Sequence, residues 1–335
     1  FLKLTVVSGA GLILGDRLLN ALGDYTPAAI KMAKDEQPVQ GGWVRSIENR
    51  KKFIQLNQKP FMNQLDAEIR GTGAGKQATL WPFFEQVSGG PLQPHNQETG
   101  DCVAMAYGLG VDLLTGIQIV KRNSPQRWVA KAATEIIYGG GRIEIGRDIY
   151  NKSFRGGGMD GYLAAHFLKK YGVLLRQKYG EYDFTTYSGS VADSLGRSGV
   201  PDELEPLCRQ HPIGWAALVQ SWDEARDCIY NGYPVILCSN QGFITRGGRD
   251  KNGYLSPGGK WSHSMLLAGI DEECDRPGGC IINSWGNFVD GGTKLNQPVG
   301  SFWADASVIS RICEQGDSIA ISSYAGYPRE NYDLL

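Results

Sequence analysis

A single cysteine, Cys102, follows a Gly-Asp pair in HNQETGDCVAMAYGLGVDLL (95–114) and opens an apolar helical pattern. A thiol attacks a carbonyl carbon only as the thiolate, and a free pKa of about 8.5 leaves a few per cent ionised at neutral pH. The first turn of a helix offers that sulfur unpaired N–H groups and the positive end of the dipole. An imidazolium beside it would complete a reactive ion pair. The candidate imidazole lies far along the chain, where KWSHSMLLAGIDEE sets His263 at the head of an apolar strand. CIINSWGNF then ends a further apolar run with Asn283, Ser284 and Trp285. An asparagine amide can accept a ring N–H and fix the tautomer, while an indole over that contact keeps water away. Singly, each residue has a plainer reading: a small buried cysteine at a helix start, a structural histidine on a strand edge. Cys, His and Asn in this order, the last two on adjacent strands, point to nucleophilic catalysis.

Several elements must position these groups. The period of Val103, Ala106, Gly110 and Leu113 predicts a helix over 102–114, with Gly116 just past its end. DGYLAAHFLKKYGVL (160–174) predicts another, stopped at Gly172. Ser221 followed by Glu224 has the look of a capping box, and PVILC after Asn231-Gly232 reads as a strand. HSMLLAGID and GGCIINSWG read as paired strands, and GSFWAD as a third. Nearer the start, DRLLNALG and ENRKKFIQLN read as helices. GTGAGKQ (71–77) lacks phosphate-loop spacing and reads as a linker. Helices first and a mostly antiparallel sheet second imply an α+β architecture of two lobes.

Composition narrows the rest. The 335 residues carry 34 Lys+Arg against 35 Asp+Glu, which removes any electrostatic case for nucleic acid or an anionic membrane. No stretch is expected to reach the apolar length of a membrane span. FLKLTVVSGAGLILG at the start reads as a buried strand or helix; it also resembles the second half of a twin-arginine export signal, whose arginines would precede Phe1, and this resemblance implies export. Of seven cysteines, six remain once Cys102 is set aside, an even number compatible with disulfides; Cys274 and Cys280 bracket a loop they could clip. The four histidines show no ligand-like spacing to cysteine pairs, so neither a metal nor another cofactor is expected. His166, on a helix face, reads as packing or surface.

The motifs together resemble those of papain-like cysteine peptidases (C1-type). PHNQETGDCVAMA resembles the family's cysteine stretch, RGGGMDGYLAAHFLKKYGVL the glycine-rich segment and helix along the non-primed side of its cleft, and GYPVILCSN the strand opening its second lobe. SHSMLLAGI resembles its histidine strand, INSWG its Asn-Ser-Trp-Gly motif, and GSFWAD the strand that closes the sheet. All occur in family order from Trp81 to Ala320. The resemblance implies a two-lobed fold with the active site between a helical lobe and a β lobe. It implies Cys102 as nucleophile, His263 as base, Asn283 as its orienter, Trp285 as the shield beside the substrate, and Gln97 with the Cys102 N–H as oxyanion donors. Gln97 stands one position nearer the cysteine than the family's glutamine, so Asn96 is held in reserve. Val103 replaces the usual tryptophan, and Thr99 and Gly156 stand where the family often has a disulfide. Gly158, Met159 and Asp160 are carried over as substrate-binding. Met159 would offer its backbone to an extended peptide, and an acid at Asp160 on the pocket wall hints at a basic or polar substrate side chain.

The expected organisation is an N-terminal extension over 1–80, a catalytic domain over 81–325 (helical lobe about 95–215, β lobe about 216–325) and a tail over 326–335. The extension reads as a propeptide, a retained arm or a homo-oligomer contact. The expected function is a cysteine endopeptidase acting on a peptide or protein substrate through a thioester. The alternative is a structural or binding protein on the same scaffold; acyl transfer by the same triad is a third possibility.

Overall fold

The structure is a computed structural model that describes residues 41–65 and 69–324. The expected N-terminal apolar run, the DRLLNALG helix and the chain beyond Tyr324 lie outside the described residues. Ser46 accepts from the Asn49 N–H and starts α1 (Ile47–Leu56) within the expected ENRKKFIQLN. Beyond the glycine-rich loop, β1 (Gln77–Thr79) leads into α2 (Trp81–Ser88), which has Pro82 in its first turn and a left-handed Gly89 at its end.

Helix α3 (Cys102–Val120) is buried at every residue from Cys102 to Ile117. It overruns the expected stop at Gly116, because that glycine serves packing rather than termination. A β-carbon there would stand 2.6 Å from the Phe84 backbone nitrogen, so its absence lets α2 lie against α3. In length and mean hydropathy (1.6) α3 does match a membrane-crossing helix, contrary to expectation; its burial inside the protein makes it a core helix.

α4 (Thr134–Gly140) continues into a π-helical turn, Gly141–Arg147. Asp160 caps α5 (Gly161–Lys170) by accepting from the Leu163 N–H, and Gly172, at φ +81°, ends the turn after it. A two-stranded ribbon, β2 (Lys178–Tyr179) and β3 (Tyr182–Asp183), precedes α6 (Gly189–Ser198) and the short α7 (Glu205–Cys208).

The second half supplies the main sheet. It contains β4 (Ile213–Leu218), α8 (Trp222–Tyr230), β5 (Val235–Phe243), β6 (Pro257–Asp271), β7 (Gly278–Ile282), β8 (Ser301–Asp305), α9 (Ala306–Cys313) and β9 (Asp317–Tyr324). Its strand order is β4-β9-β5-β6-β7-β8, antiparallel throughout, with β1 added to β6. The expected pairing of the HSMLLAGID and GGCIINSWG runs is observed, with Leu266 opposite Ile282 and Leu267 opposite Ile281. The fold is α+β with helices and an antiparallel sheet, as expected.

The six further cysteines form no disulfide. Cys208, Cys228, Cys238, Cys280 and Cys313 are buried as small apolar groups, while the Cys274 thiol donates to the Arg276 carbonyl at 3.1 Å instead of clipping the loop to Cys280.

Gly116→Ala tests the α2–α3 contact with opposed signs. Helix propensity alone predicts a gain of about 1 kcal/mol, whereas forcing a methyl into backbone predicts a loss of about 1–3 kcal/mol. A lower urea midpoint is expected; a higher one would show that α2 yields freely.

Candidate active site

Burial of α3 against β5, β6 and β9 brings its N-terminus to the middle of β6. Gly110 permits that approach, with Ile321, Leu266 and Ile236 side-chain carbons 3.1, 3.5 and 3.7 Å from where its β-carbon would be. The backbone amides of Ser264, Gly42 and Val103 support the ionised form of the Cys102 sulfur, so the thiol sits one residue from His263 along β6. His263 Nε2 lies 2.7 Å from Asn283 Oδ1, and the Ser284 N–H donates to the same oxygen at 2.7 Å. Two contacts of this kind require an oxygen there, which settles the amide orientation. An amide oxygen only accepts, so the proton is on Nε2 and the lone pair on Nδ1. Nδ1 is buried and has no hydrogen-bond partner. Trp285 stacks on the imidazole with centroids 4.3 Å apart at 27°, and Trp261 backs Trp285 at 4.9 Å.

Gln97 reaches the site through a short backbone zipper. His95 O accepts from the Gly286 N–H, Asn96 bridges Trp285, and the Gln97 N–H donates to Ser284 O. The Gln97 amide oxygen accepts from Ser284 Oγ at 2.6 Å, and its Nε2 donates to Thr99 O at 2.9 Å. Gln97 is thereby oriented beside the turn that carries Cys102, and Asn96 is the strand partner of Trp285. Ser284, which clamps the glutamine, was named in the sequence only as a member of the Asn-Ser-Trp-Gly motif, because its partner Gln97 is remote in the chain.

Segment 41–44 covers the thiol, which was not foreseen. The Gly42 and Trp43 N–H groups donate to Ser262 O at 3.0 and 3.1 Å, the Met159 N–H donates to Gly42 O at 2.9 Å, and the Val44 N–H donates to Met159 O at 3.1 Å. The expected backbone role of Met159 is thus filled by this chain's own segment in a parallel bridge. Gly158 has its own N–H on Tyr138 Oη and its own carbonyl on Arg142 Nη1. Asp160 faces inward, accepting from Asn49 Nδ2 at 2.6 Å and Lys152 Nζ at 3.1 Å. The indole N–H of Trp43 donates to Asp317 Oδ2 at 2.7 Å, making Asp317 a second buried carboxylate at this wall. The Gly41-Gly42 pair was the available signal, since a β-carbon on Gly42 would lie 2.1 Å from Gly100 O.

Burial sets the electrostatics. It pushes the Cys102 thiol up to about 12, against the pull of the Ser264, Gly42 and Val103 amides. Relative to a thiol near 9, ionisation costs about 4 kcal/mol more. A helix N-terminus returns only about 0.3–2 kcal/mol. Burial also presses His263 down to about 4, against the Asn283 contact. The covered site is therefore a neutral thiol and a neutral imidazole, not the ion pair expected from the helix start alone.

Gly42→Ala should unseat the segment, since neither Gly100 nor Gly42 can yield except by moving backbone. Overpacking of about 1–3 kcal/mol raises the uncovered population roughly 5- to 150-fold. Alkylation of Cys102 at pH 7, followed by peptide mass, should accelerate by that factor; an unchanged rate would mean that 41–44 is not what protects the sulfur.

Solved structures similar to this chain include cysteine proteases. Xylellain, a cysteine protease from Xylella fastidiosa, superposes with a TM-score of 0.56 at 18% identity, covering 85% of this chain and 96% of its own. Procathepsin B S9 from Trypanosoma congolense gives 0.50 at 9% identity, over 85% and 86% of the two chains. Digestive procathepsin L2 from the larval midgut of Tenebrio molitor gives 0.50 at 13%, over 90% and 82%. Neither a family model nor a curated protein sequence matches the chain. By its architecture, the chain has the papain-like cysteine protease fold.

Proposed function

We propose that the protein is a cysteine peptidase and that the described form is its latent state. The observation that carries this is the His263–Asn283 contact, which leaves an imidazole lone pair at Nδ1 beside the strand residue whose amide faces the Cys102 sulfur. In the open site Nδ1 takes the thiol proton, and the thiolate attacks a peptide carbonyl. The Cys102 N–H and the Gln97 amide hold the tetrahedral oxyanion. Imidazolium then protonates the departing amine, and water releases the acid from the thioester, with Nδ1 again as base. Asn283 keeps the tautomer throughout, and Trp285 excludes water from that contact.

Segment 41–44 blocks this chemistry without being cut. It lays the Gly42 backbone, which offers no electrophile, against the sulfur, with the Gly42 N–H bonded to Ser262 O and the Gly42 carbonyl and Val44 N–H on the Met159 backbone. A peptide substrate takes that place once the segment leaves, with the residues before its scissile bond along Met159. Residues 41–65 then act as an inhibitory stretch of the N-terminal extension, held by Trp43 on Asp317 and Asn49 on Asp160. The full burial of Cys102 favours one rival, an inert binding scaffold.

Incubation with a thiol-directed epoxide, read by intact mass, separates the two. One adduct on Cys102 and loss of both adduct and peptide cleavage in Cys102→Ala are expected; undiminished cleavage by that variant discards the mechanism. Gln97→Glu keeps the acceptor for Ser284 and removes the donors. It should lower kcat by about 10²–10³ with KM little changed, and an equal rate would exclude Gln97 from oxyanion binding.

A further inference from the structure

Next to Met159 the chain builds a cationic recess that the chemistry above does not use. Its volume is roughly 430 Å³, and it is lined by Thr99, Arg142, Phe154, Arg155, Asp193 and Arg197 together with Gly156 and Gly157. A second recess of roughly 440 Å³ shares Arg142, Phe154 and Arg197 and adds Arg147 and Lys152. Arg147 is paired with Asp148 and Lys152 with Asp160, so those charges are compensated. Those of the first recess are not.

Arg142 is only 5% exposed and makes no ion pair among the described residues; Asp193 acts on it only at longer range. Its Nε donates to Gly196 O at 2.8 Å, Nη2 to Gly156 O at 2.7 Å, and Nη1 to Gly158 O at 2.5 Å and Tyr138 Oη at 3.4 Å. Its guanidinium lies 4.3 Å from the Phe154 ring centroid. Carbonyls and π faces orient such a charge but do not neutralise it, and one of its five N–H donors stays uncommitted. The Arg155 and Arg197 side chains are exposed and make no hydrogen bond or ion pair among the described residues. The sole acid of the lining, Asp193, accepts from Thr99 Oγ1 at 2.5 Å. Three guanidinium groups therefore surround the space with one carboxylate to offset them.

The recess borders the peptide track. Gly156 and Gly157 immediately precede Gly158 and Met159, and a β-carbon on Gly156 would meet nothing within 4 Å, so the loop is open on that side. An extended chain advances about 3.3 Å per residue, which places the side chain next to the Met159 partner on the sulfur-facing side within reach. We propose that this recess is a carboxylate-selecting subsite, and that the enzyme prefers peptides carrying Asp or Glu at the residue next to the one paired with Met159, on the side nearer the sulfur. This names the substrate class of the site and rests on the peptidase activity proposed above.

The test uses the full chain and internally quenched peptides that differ only in Glu, Gln or Lys at that position. Ratios of kcat/KM are independent of how many molecules remain covered by 41–44. Glu should exceed Gln roughly 5- to 20-fold at low salt, and screening should compress that ratio at 0.5 M salt. In an Arg155→Glu, Arg197→Glu double variant the order should invert in favour of Lys. Cleavage of all three peptides at equal rates, with Cys102 labelled by the epoxide, would overturn the subsite and leave the peptidase intact. Absence of both label and cleavage would remove the peptidase and the subsite together.

Discussion

The site depends on how α3 lies against the sheet. The helix is buried around its whole circumference and largely apolar, and it can satisfy that only inside the protein, between α2 on one side and β5, β6 and β9 on the other. Gly116 lets it sink to backbone contact with α2, and Gly110 lets the Ile321, Leu266 and Ile236 side chains close on it, which fixes where its first residue ends. That residue is Cys102. A displacement of 1 Å along such an axis can cost an enzyme about 10² in rate, so the two glycines matter to the chemistry although neither approaches the sulfur.

The second half of the site is held by strand register. His263 and Asn283 meet because β6 and β7 are paired antiparallel and the chain leaves β7 just after Ile282. The short 95–97 segment is zipped to 284–286, so the same strand exit also sets Gln97. One local geometry thus orients the imidazole, assigns its proton and clamps the glutamine through Ser284. The burial that makes these contacts tight also opposes charge on both Cys102 and His263. A covered neutral pair follows from desolvation outweighing the helix dipole, and on the proposed reading reactivity depends on whether residues 41–44 are seated.

The glycine-rich loop at 156–158 shows how the same backbone can be held without a covalent tie. Thr99 and Gly156 stand where the resemblance to papain-like peptidases leads one to expect a disulfide. Here Thr99 is tied to Asp193, and Arg142 gathers the carbonyls of Gly156, Gly158 and Gly196. A fork of five donors suits three carbonyls converging from two elements. It also brings a buried positive charge to the edge of the cleft, where a bridge of two sulfurs would bring none.

Much of this was legible in the residues. Apolar period gave the helix at 102 and the capped helices at 161 and 222, because burial of one face is a local pattern. Alternation and turn residues gave β5 to β8, and the spacing of His263 and Asn283 on neighbouring strands follows from hairpin order alone. Two of the expectations that failed did so because a glycine and a cysteine have more than one use. Gly116 ends nothing, since its partner is the distant backbone of Phe84, and Cys274 and Cys280 stay reduced. The sequence by itself determined the chemical inventory and the order of the elements, since both are written in residue type and period. Only the tertiary structure decided that Gly42 covers Cys102, that Trp43 and Asn49 anchor on Asp317 and Asp160, and that Arg142 is left without an ion pair among the described residues. Those facts join residues sixty or more positions apart or turn on what a side chain fails to meet, and neither leaves a periodic trace along the chain.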